Sequence, residues 1–571
     1  MKPTNTIALR RWLFAAAAVA CAIAAGQVLF TLQRQSVAYG LRGHAEGAKV
    51  PPAIEFATKT LGSFRAIAII ALWFRASDLQ EKGKFFELND LFRLISQLEP
   101  RFAGVWAYWA WNVAYNCSVK FPVSQPEERW RWVRLGIEIL RDDGIRINPK
   151  APVLYRELAW IYDHKIGQDS DDAHVFYKVQ IAQEMQEALG RPPYLERLKA
   201  IAAAPQSETD LLRDPDVRAL VGALRAAGVA PFAKPLVVAN RAPDLPAAAL
   251  ALLNDPANAG AAARLEAFLR ATHLRGKLAL DPARMVKLTE QLGPIDWRLP
   301  DALSLYWVGR SVELFGADIM AAANSDRMLF HSVVELYRRG TLRFEPGTDE
   351  EAPTWIAAPN FGFIGPLVRL HEEIARRNIG NPYETPTREA YLNFLRDAVL
   401  NLFLRGDTKS ATEYFKRLVA ASGEPDGPVA DFADQRLKKM VEAMTVQQAM
   451  NFARGYFFRS LMSASVGNTD QAVGEENLAR FIYEKYRSGH SSPRFQIPLL
   501  RELWTDALRD IIRGGAEGDF RKFQVDELRR LYSTDVKKIE DELKRRAEEE
   551  QKKREALQPP TPPPAAPPAE K

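Results

Sequence analysis

Apolar residues recur at three- and four-residue spacings over 85–97, 104–115, 152–162, 389–404 and 411–420. That spacing gathers them on one face of a helix with 3.6 residues per turn. Runs of alternating β-branched residues, the mark of half-buried strands, are few. Pro and Gly cluster between the helical stretches, as in Phe121-Pro122-Val123-Ser124-Gln125-Pro126 and Gly423-Glu424-Pro425-Asp426-Gly427-Pro428, and punctuate one helix from the next. The pattern predicts an all-α chain.

A chain of 571 residues is too long for one compact core and predicts several domains or a repeat array. With 47% hydrophobic and 26% charged residues, wholesale disorder is excluded. A net charge of +6 over this length is thin, and no Lys/Arg block stands without nearby acids, so nucleic acid is not the expected partner. The two cysteines are Cys21 and Cys117. Because Cys21 lies in the apolar N-terminal run, the rest of the chain can form neither an internal disulfide nor a cysteine metal cluster.

At the N-terminus Lys2, Arg10 and Arg11 precede an apolar run from Trp12 to Leu32. A helix of that length covers about 30 Å, the thickness of a hydrocarbon core. Ala22-Ile23-Ala24 is a small-x-small site that would suit a cleaved signal peptide. The run continues through Val28-Leu29-Phe30, which favours an uncleaved transmembrane helix over 12–32. Lipid modification of Cys21 would call for a leucine where Ala18 stands. Lys2, Arg10 and Arg11 outweigh Arg34 and Arg42 as flanking charges. The expected topology is therefore single-pass, with residues 1–11 cytoplasmic and the body extracytoplasmic. The apolar stretch Ala66–Phe74 is too short to span a bilayer and reads as a buried helix segment.

Two segments repeat one another. Pro100 is followed by Trp106, Trp109, Ala110 and Val113; Pro149 is followed by Tyr155, Leu158, Ala159 and Tyr162. The aromatic and the apolar residue point into a helical hairpin, and the alanine lets the partner helix approach closely. The arrangement resembles the tetratricopeptide repeat. Leu395, Ala398, Val399, Leu402 and Gly406 with Ala411, Phe415 and Leu418 form a third match, and Gly467, Ala472 and Ala479 a weaker fourth. Trp106 and Tyr155 are 49 residues apart, against a family period of about 34; the surplus is expected in the proline-containing loop near 117–128. His164-Lys165-Ile166-Gly167 and Asp296-Trp297-Arg298-Leu299-Pro300 also resemble segments of uncharacterised, membrane-anchored bacterial repeat proteins. The resemblance implies a solenoid of degenerate helical hairpins with a concave groove for a protein partner. A non-repetitive helical domain with an aromatic core would use the same residues.

The expected organisation runs from a cytoplasmic 1–11 and a membrane anchor at 12–32 to a hairpin-repeat domain over 50–195. An Ala/Pro-rich helical connector over 196–300 comes next, with Asp214-Pro215, Asp255-Pro256 and Asp281-Pro282 as helix starts. A second repeat domain spans 301–518. A charge-dense helix over 519–557 carries acids four residues before bases, as in Glu540/Lys544 and Glu549/Lys553. Leu528, Tyr532, Val536, Ile539 and Leu543 give its first half an apolar stripe. The tail 558–571 is Pro-rich and is expected to be disordered.

Catalytic signatures are missing from the sequence. There is no phosphate-binding Gly-Lys-Ser/Thr loop and no Gly-x-Ser-x-Gly elbow. His371-Glu372-Glu373-Ile374-Ala375 begins like a zinc-protease helix, but Ala375 stands where the second histidine belongs. Asp163, His164, Asp169, Asp171, Asp172 and His174 lie close enough to hold a divalent ion. Their spacing does not match a calcium loop, and acids in such a turn cap the next helix. Asp296 and Asp301 flank Trp297 and Arg298 as paired carboxylates would in a glycosidase; the simpler reading has Asp301 capping a helix over 302–314. No cofactor, metal or small-molecule substrate is expected. The expected function is a non-enzymatic scaffold that binds a protein partner at a bacterial inner membrane through Tyr108, Asn112, Arg156 and Trp160. A glycan-active helical hydrolase and a structural spacer are the alternatives.

Overall fold

The computed structural model describes Cys21, Gln27, Val28, Thr31 and residues 64–316, 319–345, 353–358, 360–442, 444–489, 497–516 and 522–557. The expected anchor at 12–32, apart from those four residues, and the expected tail at 558–571 lie outside this set. Among the described residues no helix is long and apolar enough to cross a membrane.

Among the described residues the fold is all-helical apart from one antiparallel pair of strands. Helices α1 (Phe64–Glu81) and α2 (Phe85–Leu98) lead into α3, Ala103–Trp111, which continues as a π-helical run over Asn112–Cys117. Helix α4 spans Pro126–Glu138 and likewise runs on in π geometry over Ile139–Gly144. Helix α5, Pro152–Trp160, ends in a third π run at Ile161–Gly167, and α6 comes after it at His174–Leu189. Trp106 Nε1 donates to the Pro100 carbonyl at 2.8 Å, and the Tyr155 hydroxyl donates to the Pro149 carbonyl at 2.9 Å. Each aromatic thus ties its helix back to the proline six residues earlier. Leu158 and Ala159 are fully buried, as are Ala110 and Val113. At the α3–α4 crossing a side chain on Gly136 would stand 2.9 Å from the Ala114 Cβ and 3.0 Å from the Ala110 carbonyl, so only glycine allows this approach.

Between residues 195 and 292 the chain forms mostly short helices, with one of 18 residues at Ala259–Gly276, and these share the core of the helices before them. Asp214, Asp255 and Asp281 each accept from a backbone N–H two residues on, as Asp-Pro helix starts predict. The chain then returns. Helix α7, Pro300–Phe315, lies along α5, with Ser311 donating to the Pro152 carbonyl at 2.8 Å, and pairs with α8, Ile319–Arg339. Strands β1 (Thr341–Glu345) and β2 (Thr354–Ala358) pair antiparallel. They precede α9 (Ile364–Asn378), α10 (Glu384–Leu404) and α11 (Thr408–Ser422). The third repeat-like segment is the α10–α11 hairpin. Leu395, Ala398, Val399, Ala411 and Leu418 are fully buried in it, and Gly406 takes φ +87° in its turn.

One core runs continuously from Ala76 to Val429. A second, from Leu437 to Ile539, is built by α12 (Val429–Glu442), α13 (Val446–Ser465), α14 (Thr469–Gly489), α15 (Leu500–Ala516), α16 (Lys522–Leu531) and α17 (Ser533–Leu557). Leu528, Val536 and Ile539 are buried there, with Tyr532 and Leu543 packed against them.

Four expectations need correction. The single charged helix is broken at Tyr532 into α16 and α17. Residues 66–74 are not a wholly buried segment, since Ile67, Ile70 and Phe74 are more than half exposed while Ile69 faces the core. The surplus of the 49-residue spacing is not in a loop; the breaks between helices take only residues 121–125 and 148–151, and the added length is helical. Asp301 does not cap α7; Leu299 occupies the cap position, and the Asp301 carboxylate turns inward to an arginine.

The hairpin packing makes a stability prediction. Ala159→Glu places an unpaired carboxylate at a fully buried helix contact and should cost about 3 kcal/mol or more. Lys150→Glu, on an exposed turn residue, should leave the melting temperature of the full chain in detergent unchanged. Equal melting temperatures for Ala159→Glu and wild type would remove the packing argument.

Candidate functional site

A cleft of about 730 Å³ opens between α5 with its π run on one side and α9–α10 on the other, with α8 as its floor. The size and the mainly apolar lining suit a ligand or a short segment of a partner. Trp160 lines one wall, half-buried and stacked on His164 with ring centroids 4.6 Å apart. Phe330, Met328 and Val334 rise from the floor, and Ile374 and Pro386 face them.

The floor is fastened by buried charge. Asp163, 2% exposed, sits in the π run and meets His331 Nδ1 at 3.0 Å. His331 Nε2 lies 3.7 Å from Glu335. Arg339, one turn further along α8, makes a two-pronged contact with Asp301 at 2.8 and 3.0 Å and reaches Glu335 at 3.4 Å. Gly167 permits this approach, because a side chain there would stand 3.3 Å from the Asp301 carboxylate and 2.9 Å from the Tyr162 carbonyl. Burial pushes the Asp301 carboxyl up, and the Arg339 charge pulls it back. The opposite wall is fastened too: Arg377 on α9 meets the buried Asp326 at 3.1 Å, and Asn378 donates to Thr387 at 3.1 Å.

Two histidines in the cleft have opposite protonation tendencies. The hydrogen bond to Asp163 holds His331 above its ordinary 6.5, against the opposing effect of burial. Burial drives His371 down to about 4. His371 stacks on Tyr391 at 4.4 Å and meets the edge of Phe330, and its Nδ1 is buried without a hydrogen-bond partner. The cleft therefore holds one imidazole biased toward its protonated form by Asp163 beside one that burial biases toward neutrality.

Of the four residues expected to meet a partner, Arg156 and Trp160 line this cleft. Arg156 pairs with its neighbour Glu157 at 2.9 Å. Tyr108 is on another part of the chain, packed against Trp73, Phe92 and Trp111 with its hydroxyl toward Gln80. Asn112 is not on a groove. It is fully buried at the start of the α3 π run, where it accepts from Asn116 and donates toward the Phe85 carbonyl. Asn112 keeps the regular helical bond to the Tyr108 carbonyl, so its position on the helical wheel is right; it is buried because the start of α2 at Phe85 covers that face.

The acid-rich turn is structural in its contacts. Asp171 accepts from the Ala173 backbone N–H at 2.9 Å at the start of α6 and is paired with Arg129 at 2.9 Å and Lys165 at 2.6 Å, all three nearly fully buried. Among the described residues no group of three or more His, Cys, Asp or Glu side chains is placed to hold a metal ion. Asp296 pairs with Arg298 at 2.8 Å and Asp301 with Arg339, and neither lines the cleft. His331 and Asp326, which shape the cleft, carried no sequence signal as a site, and His371 drew notice only as the start of an incomplete zinc-protease motif. They lie more than 160 residues beyond Trp160 and join it only through the return of α7 and α8.

A scan against protein-family models finds no match, and a search among curated proteins finds no relative.

The His331–Asp163 contact predicts a pH dependence. A histidine raised above its ordinary 6.5 adds stability that is fully present below 6.5 and is lost as pH rises through the raised value. The melting temperature of wild type should exceed that of His331→Gln at pH 6, and the gap should close in alkaline buffer. A gap that is constant, or that widens, between pH 6 and 9 would refute the pairing.

Proposed function

We propose that this chain is a membrane-tethered scaffold whose degenerate helical hairpins, similar to tetratricopeptide repeats stacked as a solenoid, bind a segment of a protein partner. The observation that carries the reading is the cleft itself. A mainly apolar channel is walled by Trp160 and Arg156 on the first helix of a hairpin, where such repeats present their groove. Trp and Arg are the side chains that most often carry binding energy, because they bury broad surface while keeping a polar handle. Trp160 is only half-buried in the free chain and gains most from being covered.

The tether is the apolar run at 12–32, with the body held outside a bacterial inner membrane. A second reading, acid–base chemistry in the same cleft, is favoured by one observation: buried Asp163 orients an accessible histidine, as an orienting carboxylate does for a general base.

A photo-crosslinking residue at position 160, introduced in the full chain in intact membranes, should capture one discrete protein. Arg156→Ala with Phe330→Ala should weaken that capture at least tenfold without moving the melting temperature by more than a few degrees. Loss of the melting transition would make these residues core and reject the site. Should His331→Gln abolish a cellular phenotype while capture persists, the acid–base reading replaces the scaffold.

A further inference from the structure

We infer that the N-terminal half of α1 is seated in the headgroup and outer acyl layer of a lipid bilayer, so that the body is docked on the membrane surface rather than hanging from its tether. This rests on the proposed membrane tether at 12–32.

The outward face of α1 changes character along its length. Ile67, Ile70 and Phe74 are 63%, 55% and 74% exposed, at helical spacings that put them on one stripe with exposed Ala71. One turn later the same stripe is polar: Ser77, then Asp78, which pairs with Lys82, then Glu81. The inward face holds throughout, with Ile69, Ala76 and Leu79 buried and Trp73 packed edge-on against Phe92. The helix is therefore seated on the body along its whole length and apolar on its outside only in its first half. That half is the one closer in sequence to the apolar run.

Geometry and charge both fit a lipid surface. From Ile67 to Phe74 the stripe runs about 11 Å along the helix axis, two turns of apolar side chains that can lie in the plane of the interface and sink into it. Arg75, exposed at the point where the stripe turns polar, can send its guanidinium to the headgroups while its stem stays among acyl chains.

The chain outside the described structure names the occupant. Only residues 33–63 separate Leu32 from Phe64. Tethering by so short a linker makes contact with the bilayer an intramolecular event, so a patch too small to bind vesicles from solution suffices here. The same smallness argues against a second copy, since stable protein interfaces engage about 20–30 residues a side.

The test uses the full chain carrying Cys21→Ala, reconstituted in phosphatidylethanolamine–phosphatidylglycerol vesicles, with a single nitroxide at Ile70→Cys, Phe74→Cys or Gln80→Cys. Cys117 is fully buried and does not compete for label. Oxygen accessibility relative to that of a water-soluble nickel chelate should be several-fold higher at 70 and 74 than at 80. If the chain floats with the vesicles but positions 70 and 74 match position 80, the docking is overturned and the tether stands. If it does not float, both readings fall. Shielding of 70 and 74 from both reagents would mean that protein covers the stripe and would also overturn the proposal. Dipolar broadening in that case would identify the cover as a second copy, and its absence would identify the chain's own residues.

Discussion

The ion link between the α5 π run and α8 sets the geometry on which the cleft depends. Asp163 and Asp301 are 2% and 1% exposed, and each meets its partner from α8, His331 and Arg339. Burying charge is costly, and a well-packed apolar pair would hold two helices as firmly. What the charges add is register. A leucine contact tolerates a slip along the helix, whereas a two-pronged arginine–carboxylate contact does not. Arg339 and His331 lie eight residues apart on α8, just over two turns, so two fixed points define both the position and the rotation of the floor. Everything presented into the cleft by α8, including Phe330 and Val334, inherits that alignment.

The second consequence is asymmetry between making and breaking. Removing Asp301 alone would strand the Arg339 guanidinium, 19% exposed, with Glu335 at 3.4 Å as its remaining ion-pair contact among the described residues. Removal of both partners would cost less than removal of either, because the desolvation penalty leaves with them. A network of this kind favours a unique arrangement more than it adds stability.

Local patterns were legible in the sequence and long-range returns were not. The helical periodicity, the Asp-Pro helix starts and the hairpin cores around Tyr155 and Ala398 are properties of neighbours within a few turns, and each appears in the structure. Arg156 and Trp160 could be assigned to an outward helix face because α5 is regular up to Trp160. Asn112 was misplaced because the start of α2 covers its face of the helix, a contact that no spacing within α3 shows. Ile67, Ile70 and Phe74 were misread because an apolar residue facing outward has the same letter as one facing inward. His331 and Asp326 could not be found at all, and His371 was seen only in a motif unrelated to the cleft. Their role depends on the chain leaving through residues 195–292 and coming back beside α5, and no local pattern encodes a return over that distance.

The π run of α5 sets the shape of the cleft. Like the runs at Asn112–Cys117 and Ile139–Gly144 that lengthen α3 and α4, it extends a helix beyond its regular part, here over Ile161–Gly167. A π turn inserts a residue into the helical ladder and rotates the next residues about the helix axis. In α5 the residues beyond Trp160 include Asp163, His164 and Gly167. The first clamps His331, the second supplies the face on which Trp160 stacks, and the third makes room for Asp301 and Arg339. A helix of ordinary pitch would turn Asp163 and Gly167 through a different angle and separate them from α7 and α8. The π run is thus what lets α7 and α8 dock beside α5, and α8 gives the cleft its floor.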